Sequence, residues 1–209
     1  MTENSEKKTF ILADYLRVRF KGVMQASAAF LNRLGLMPNT ITLIGLIGHV
    51  GVAVLLAYGY FTWGGLLALL MGILDAVDGT MARLRNLPVE FGAFADSVTD
   101  RYSELLIFGG LLFYYMRQDD WLMGFGVYLA AAGSVLVSYI RARAGAVGMD
   151  TKVGLFSRFE RYVVLIGSLV FQIPHIGIWI IAIFANITAL QRILDVRRQA
   201  KAKNLIRYQ

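Results

Sequence analysis

Six apolar stretches divide this chain of 209 residues, set against about 20 residues for one bilayer crossing. They run from about Thr40 to Tyr60, Trp63 to Ala82, Gly92 to Met116, Trp121 to Tyr139, Tyr162 to Phe171 with the turns upstream of it, and Ile176 to Leu190. Hydrophobic residues make up 57% of the chain and charged residues 17%. An average soluble domain carries about 25% charged residues, and its core could not enclose this much apolar surface. The expected class is an all-α integral membrane protein of one domain with six transmembrane helices.

Composition narrows the chemistry. Cysteine is absent, which excludes disulfides, thiolate metal sites and a cysteine nucleophile. Histidine occurs only at His49 and His175, too few for a zinc site of the usual ligands. The net charge of +7 would raise nucleic-acid binding in a soluble protein. Here the charges sit in short segments between apolar runs, so loops facing anionic lipid are expected, and no nucleic-acid partner.

The turns near Gly59, Arg117 and Pro174 hold one basic residue, Arg117, followed by Asp119 and Asp120. The remaining Lys and Arg residues fall on the other side. The positive-inside rule then sets a multi-pass protein of the cytoplasmic membrane with both termini, and the charged loops, in the cytoplasm. Met1 to Lys8 is polar and has no secretory leader pattern. Between Thr9 and Leu34, Phe10, Ile11, Tyr15, Val18 and Met24 share an apolar face away from Asp14, Arg17 and Lys21, the pattern of an interfacial amphipathic helix. The expected organisation is a juxtamembrane segment over 1–35, a bundle over 36–198, and a basic tail over 199–209 that frays. Trp63, Trp121 and Trp179 read as an outer interface belt, and Ala130–Gly133 as a small-residue packing stretch. His49, beside Gly48, reads as a packed neutral histidine.

The chemistry is carried by acids. One Asp at the centre of a membrane helix costs about 2.5 to 3.5 kcal/mol. Here Asp75 and Asp78 are spaced i,i+3 and Asp96 and Asp100 i,i+4, each pair on one helical face. A short turn near Asn86–Pro88 makes the two segments antiparallel neighbours, so the four carboxylates converge at the cytoplasmic end. Such charges repel unless protonated or bridged by cations. Oxygen ligands without histidine favour Mg²⁺ or Mn²⁺, and two dications balance four carboxylates. A two-metal cluster points to phosphoryl transfer. A network of ion pairs with Arg83, Arg101 and Arg143 is the alternative.

Asp75-Ala-Val-Asp78-Gly79-Thr-Met-Ala82-Arg83, eight residues, then Gly92-x3-Asp96-x3-Asp100 resembles the signature of the CDP-alcohol phosphotransferases in every defining position. The resemblance extends to the six-helix layout. It implies attack of an alcohol hydroxyl on the β-phosphorus of a CDP-linked lipid, CDP-diacylglycerol, with release of CMP. It further implies Asp75, Asp78 and Asp96 as metal ligands, and Asp100 as general base that also touches a metal. By the same likeness Asn39, Thr42, Asp78, Gly79, Ala82, Arg83 and Gly92 contact the cytidine diphosphate, and the protein forms a homodimer.

A second cluster bears on the acceptor: Tyr139-Ile-Arg141-Ala-Arg143, Lys152, Arg158-Phe-Glu160-Arg161 and Gln191-Arg192. Cations beside the metals suit an anionic polyol phosphate. The pattern resembles the bacterial phosphatidylinositol phosphate synthases, and the likeness implies Arg141, Arg161 and Arg192 as the residues that hold the acceptor phosphate. Inositol 1-phosphate is the first expectation and glycerol 3-phosphate, the acceptor of a phosphatidylglycerophosphate synthase, the alternative. A divalent-cation transporter is the reading from another class. It would want acids near the midplane on several helices and no nucleotide motif.

Overall fold

A computed structural model describes residues 12–85, 89–203 and 205. Among these the chain forms helices only: α1 (Leu12–Arg33), α2 (Pro38–Ala57), α3 (Phe61–Leu84), α4 (Val89–Arg117), α5 (Trp121–Ala146), α6 (Arg158–Val170) and α7 (Pro174–Ala202). Local chemistry sets several boundaries. Pro38 and Pro174 open α2 and α7, where a missing N–H costs nothing. Asp120 caps α5 by accepting from the Met123 N–H at 3.0 Å. Gly59 closes the turn after α2 with φ +83, a conformation a side chain would strain.

Four helices, α2, α3, α5 and α7, are long and apolar enough to cross a membrane. Only 28% of the apolar window of α2 and 33% of that of α3 is buried inside the protein. Leu43, Ile47, Val50 and Val54 on α2, and Leu66, Leu70 and Ile73 on α3, face outward. Outward apolar surface on this scale fits hydrocarbon, not water. Helix α4 has 29 residues, but its first half carries Asp96, Asp100, Arg101 and Glu104. Helix α6 has 13 residues, about 20 Å of rise against a hydrocarbon core of about 30 Å.

Helices outrun the apolar stretches because backbone hydrogen bonding does not stop at a charge. Helix α4 starts at Val89, ahead of Gly92, and α5 runs past Tyr139 to Ala146. The start of the tail expected to fray over 199–209 is instead helical through Ala202. Gln199 Nε2 donates to the Asp150 carbonyl at 2.6 Å and Lys203 Nζ to that of Gly148 at 2.9 Å, and these bonds anchor it. The turn at 86–88, the apolar residues Phe10 and Ile11, and the side chains of Asp14, Tyr15, Arg17, Val18 and Lys21 lie outside the described residues.

The core joins Val52 and Leu56 of α2, Ile107 and Leu111 of α4, Val127 and Ala130 of α5, Leu165 and Leu169 of α6, and Ile178 and Ile181 of α7. Small residues bring backbones together, as expected of Ala130–Gly133. A side chain at Gly133 would strike Ala185 and Asn186 of α7, and one at Gly110 would strike the Ala53 backbone. Asn186 Nδ2 donates to the Leu129 carbonyl at 3.1 Å. The turns after α2, α4 and α6 gather at one end: the Arg117 guanidinium lies 5.6 Å from the Tyr58 ring centre, and Gln172 Nε2 donates to Thr62 at 3.2 Å. The acids lie toward the opposite end, on the last turns of α3 and the first turns of α4.

Candidate active site

On α3, Asp75, Gly79 and Arg83 recur every fourth residue. On α4, Gly92, Asp96, Asp100 and Glu104 do the same. The 3.6-residue turn stacks each set into a stripe. One carboxylate oxygen from each of Asp75, Asp78 and Asp96 lies within 4.8 Å of the others. Asp78 is buried, Asp75 half-buried and Asp96 exposed, so the cluster is rooted in the bundle and open on one side. These oxygens are hard, anionic and convergent, and they fit a divalent ion. Such an ion, when bound, supplies Lewis-acid charge stabilisation to phosphate oxygens.

Asp100, expected as a fourth ligand, lines the same cavity as Asp75 and is ion-paired with Arg158 at the start of α6. Arg158 Nη2 also lies 3.7 Å from Asp75 Oδ2. Among the described residues no ion pair joins Arg83, Arg101 or Arg143 to these acids, although Arg101 lies within electrostatic reach of Asp96 and Asp100. Arg83 donates to Thr80 Oγ1 at 3.0 Å, Arg101 pairs with Glu104 at 3.2 Å, and Arg143 is exposed. A cation ion-paired with the acids is Arg158, on a helix the motif does not include. Asp75, Asp100, Glu104, Arg158, Tyr162 and His49 line one small cavity between α2, α3, α4 and α6. His49 Nδ1 bonds the Gly45 carbonyl at 2.8 Å, so the buried, packed histidine expected from the sequence is present.

The residues expected around the nucleotide divide. Thr42, on the first turns of α2, donates to Asp78 Oδ2 at 2.6 Å. It orients a cluster carboxylate. Second-sphere bonds of this kind are worth about 10- to 100-fold in metal affinity or activity. Thr42→Val is therefore expected to raise the Mn²⁺ concentration for half-maximal activity about tenfold. A metal titration of activity checks it, and an unchanged midpoint contradicts it. Asn39, Arg83 and Gly92 are exposed, and Gly79 and Ala82 are half-buried. A Cβ at Gly92 would meet nothing within 4 Å, and one at Gly79 only the tip of Arg83 at 3.9 Å. Both glycines therefore border open space beside the acids.

The three arginines expected at the acceptor sit differently. Arg161 is 1% exposed and Arg192 is 5% exposed, whereas Arg141 is exposed. Arg161 is bound by Glu104, and Arg192 donates to the Val137 and Val153 carbonyls at 2.6 and 3.1 Å. Arg141 and Arg161 both lie within electrostatic reach of Arg192. Glu104 and the Arg158 pairing were not singled out in the sequence. The signal was present: Glu104 continues the four-residue stripe of α4, and Arg158 precedes Arg161 by three.

A helical membrane bundle with an acidic triplet at one end, beside open glycine positions and buried arginines, defines a class of phosphoryl-transfer membrane enzymes. Residues 35–190 match the profile of the CDP-alcohol phosphatidyltransferases, and the chain belongs to that family. It is 36% identical over 206 residues to the phosphatidylinositol phosphate synthase of Streptomyces avermitilis, covering 91% of this chain and 84% of that one. It is 32% identical to the archaetidylinositol phosphate synthase of Pyrococcus horikoshii, over 88% of this chain and 96% of that one. The phosphatidylinositol phosphate synthase of Mycobacterium tuberculosis with CDP-DAG bound superposes with a TM-score of 0.78 at 29% identity, over 83% of this chain and 93% of that one. Another crystal structure of that enzyme, in complex with manganese and citrate, gives a TM-score of 0.79, over 83% of this chain and 88% of that one.

Proposed function

We propose that this enzyme transfers the phosphatidyl group of CDP-diacylglycerol to inositol 1-phosphate, forming phosphatidylinositol phosphate and CMP. The acceptor hydroxyl oxygen bonds to the β-phosphorus, the bond from that phosphorus to the bridging oxygen of CMP breaks, and the hydroxyl proton passes to Asp100. Asp75, Asp78, Asp96 and Asp100 would hold the divalent cations. Asn39, Thr42, Gly79, Ala82, Arg83 and Gly92 border the cytidine diphosphate. Arg141, Arg161 and Arg192 take the acceptor phosphate.

One observation carries the anionic acceptor. Arg161 and Arg192 are nearly inaccessible to water, and Glu104 is the carboxylate bound between Arg161 and Arg101. Buried guanidiniums in excess of carboxylates are costly unless an anion joins them. A phosphate-bearing substrate supplies that anion, whereas an ammonium alcohol adds to the repulsion. The relatives named phosphatidylinositol phosphate synthase and archaetidylinositol phosphate synthase support the same choice.

The reading includes six membrane crossings, with α4 and α6 crossing beside the four more apolar helices, and α1 on the inner leaflet. The site and both termini face the cytoplasm, on the side where the Lys and Arg residues collect. The working unit is a homodimer. Purified protein given CDP-diacylglycerol, Mn²⁺ and a panel of inositol 1-phosphate, glycerol 3-phosphate, free inositol, serine and ethanolamine is expected to release CMP fastest with inositol 1-phosphate. Equal or faster release with serine or free inositol would overturn the anionic acceptor. Faster release with glycerol 3-phosphate would replace the polyol.

A further inference from the structure

Two side-chain rungs join α4 to α6. Asp100 and Glu104 are one turn apart on α4, and Arg158 and Arg161 are three residues apart on α6, so each pair shares a face. The outer rung, Asp100–Arg158, has an Arg158 side chain that is 43% exposed. The inner rung is drier. Arg161 Nε donates to Glu104 Oε1 at 3.0 Å and Arg161 Nη2 to Glu104 Oε2 at 3.4 Å, with side-chain exposures of 1% for Arg161 and 11% for Glu104. This is the two-bond fork that fixes a guanidinium in both position and plane. Glu104 Oε2 also lies 3.2 Å from Arg101 Nη1, and Arg101 donates to Ser138 of α5. Arg161 Nη1 donates to the Phe156 carbonyl at 3.4 Å. Three of its five N–H donors are thereby engaged, which leaves two for a ligand.

We propose that Glu104 is a positioning residue for the acceptor site: its carboxylate fork holds Arg161 so that the remaining guanidinium donors meet the acceptor phosphate. The inference rests on the reading that Arg161 binds that phosphate. An arginine on a flexible stem loses rotamer freedom when it grips an anion, and a preformed fork removes that loss beforehand. The charge balance is also suited to the task. Arg101, Arg161 and Glu104 together keep one net positive charge, so the fork orients Arg161 without cancelling the field that attracts a phosphate. Glu104 lines the cavity that also holds Asp100 and Arg158, so the fork sits one helical turn behind the proposed base.

The test uses the full chain in detergent, with CDP-diacylglycerol and inositol 1-phosphate varied separately. Glu104→Asp keeps the charge and withdraws the fork by one methylene. It is expected to raise KM for inositol 1-phosphate about tenfold, with KM for CDP-diacylglycerol and kcat changed less than about threefold. Glu104→Gln, which keeps the length and loses the charge, is expected to move the same parameter in the same direction. In an Arg161→Ala background, neither substitution is expected to raise KM for the acceptor further. The proposal is overturned if both KM values rise alike, or if the Glu104 effect persists without Arg161. An unchanged acceptor KM in both Glu104 variants, with a raised one in Arg161→Ala, overturns the proposal and leaves the acceptor site standing. An unchanged acceptor KM in Arg161→Ala removes the acceptor role of Arg161, and the proposal falls with it.

Discussion

Asp100→Asn is expected to leave CDP-diacylglycerol bound and to lose nearly all turnover. Asp100 is 7% exposed, one turn beyond Asp96 on α4, and its carboxylate is ion-paired with Arg158, which also lies 3.7 Å from Asp75. A carboxylate beside the cluster is placed to receive a proton. The amide of Asn fills the same volume and cannot take one. General-base catalysis contributes about 10²- to 10⁴-fold, so kcat is expected to fall about 10³-fold, near 4 kcal/mol of activation free energy. Binding of CDP-diacylglycerol, measured at equilibrium on the purified variant, is expected to change less than about threefold. A variant with normal kcat removes the base assignment. A variant that loses lipid binding in step with turnover makes Asp100 a ligand instead.

Chelation abolishes activity. Asp75, Asp78 and Asp96 bring three carboxylate oxygens within 4.8 Å of one another. At an effective dielectric of 20, two unit charges about 5 Å apart repel by about 3 kcal/mol, and a hard dication offsets this for every pair it bridges. Exhaustive EDTA treatment is expected to reduce CMP release at least about 10³-fold, and Mg²⁺ or Mn²⁺, but not K⁺, to restore it. Because the ions bind the folded cluster, Tm in detergent is expected to fall with chelation and recover with the metal. Activity that survives chelation would contradict a metal-dependent transfer.

The Asp motif was legible because it is local. Residues three and four apart on a helix share a face whatever surrounds them, so Asp75 with Asp78, and Asp96 with Asp100, could be paired before any packing was known. The glycines were legible for a related reason: Gly79 and Gly92 leave room at fixed steps from the acids. Partners across the bundle were not legible. That Thr42 of α2 would bond Asp78, that Arg158 of α6 would face Asp100, and that Arg161 would be forked on Glu104 depend on how distant helices are rotated and shifted against one another. Counting apolar residues also set some ends too early, at Tyr139 of α5 and at Leu190 of α7, because a helix continues through charges that an apolar stretch does not.

By itself, then, the chain's order of residues determined a helical membrane protein with an acid motif that binds hard cations, since hydropathy and helical periodicity act within single segments. Only the tertiary structure decided that Asp75, Asp78 and Asp96 converge and that Arg158 pairs with Asp100. It also decided that Arg161 and Arg192 are buried while Arg141 is not. Those outcomes follow from side-chain contacts between α2, α4, α5, α6 and α7, and no spacing along one helix encodes the packing of another.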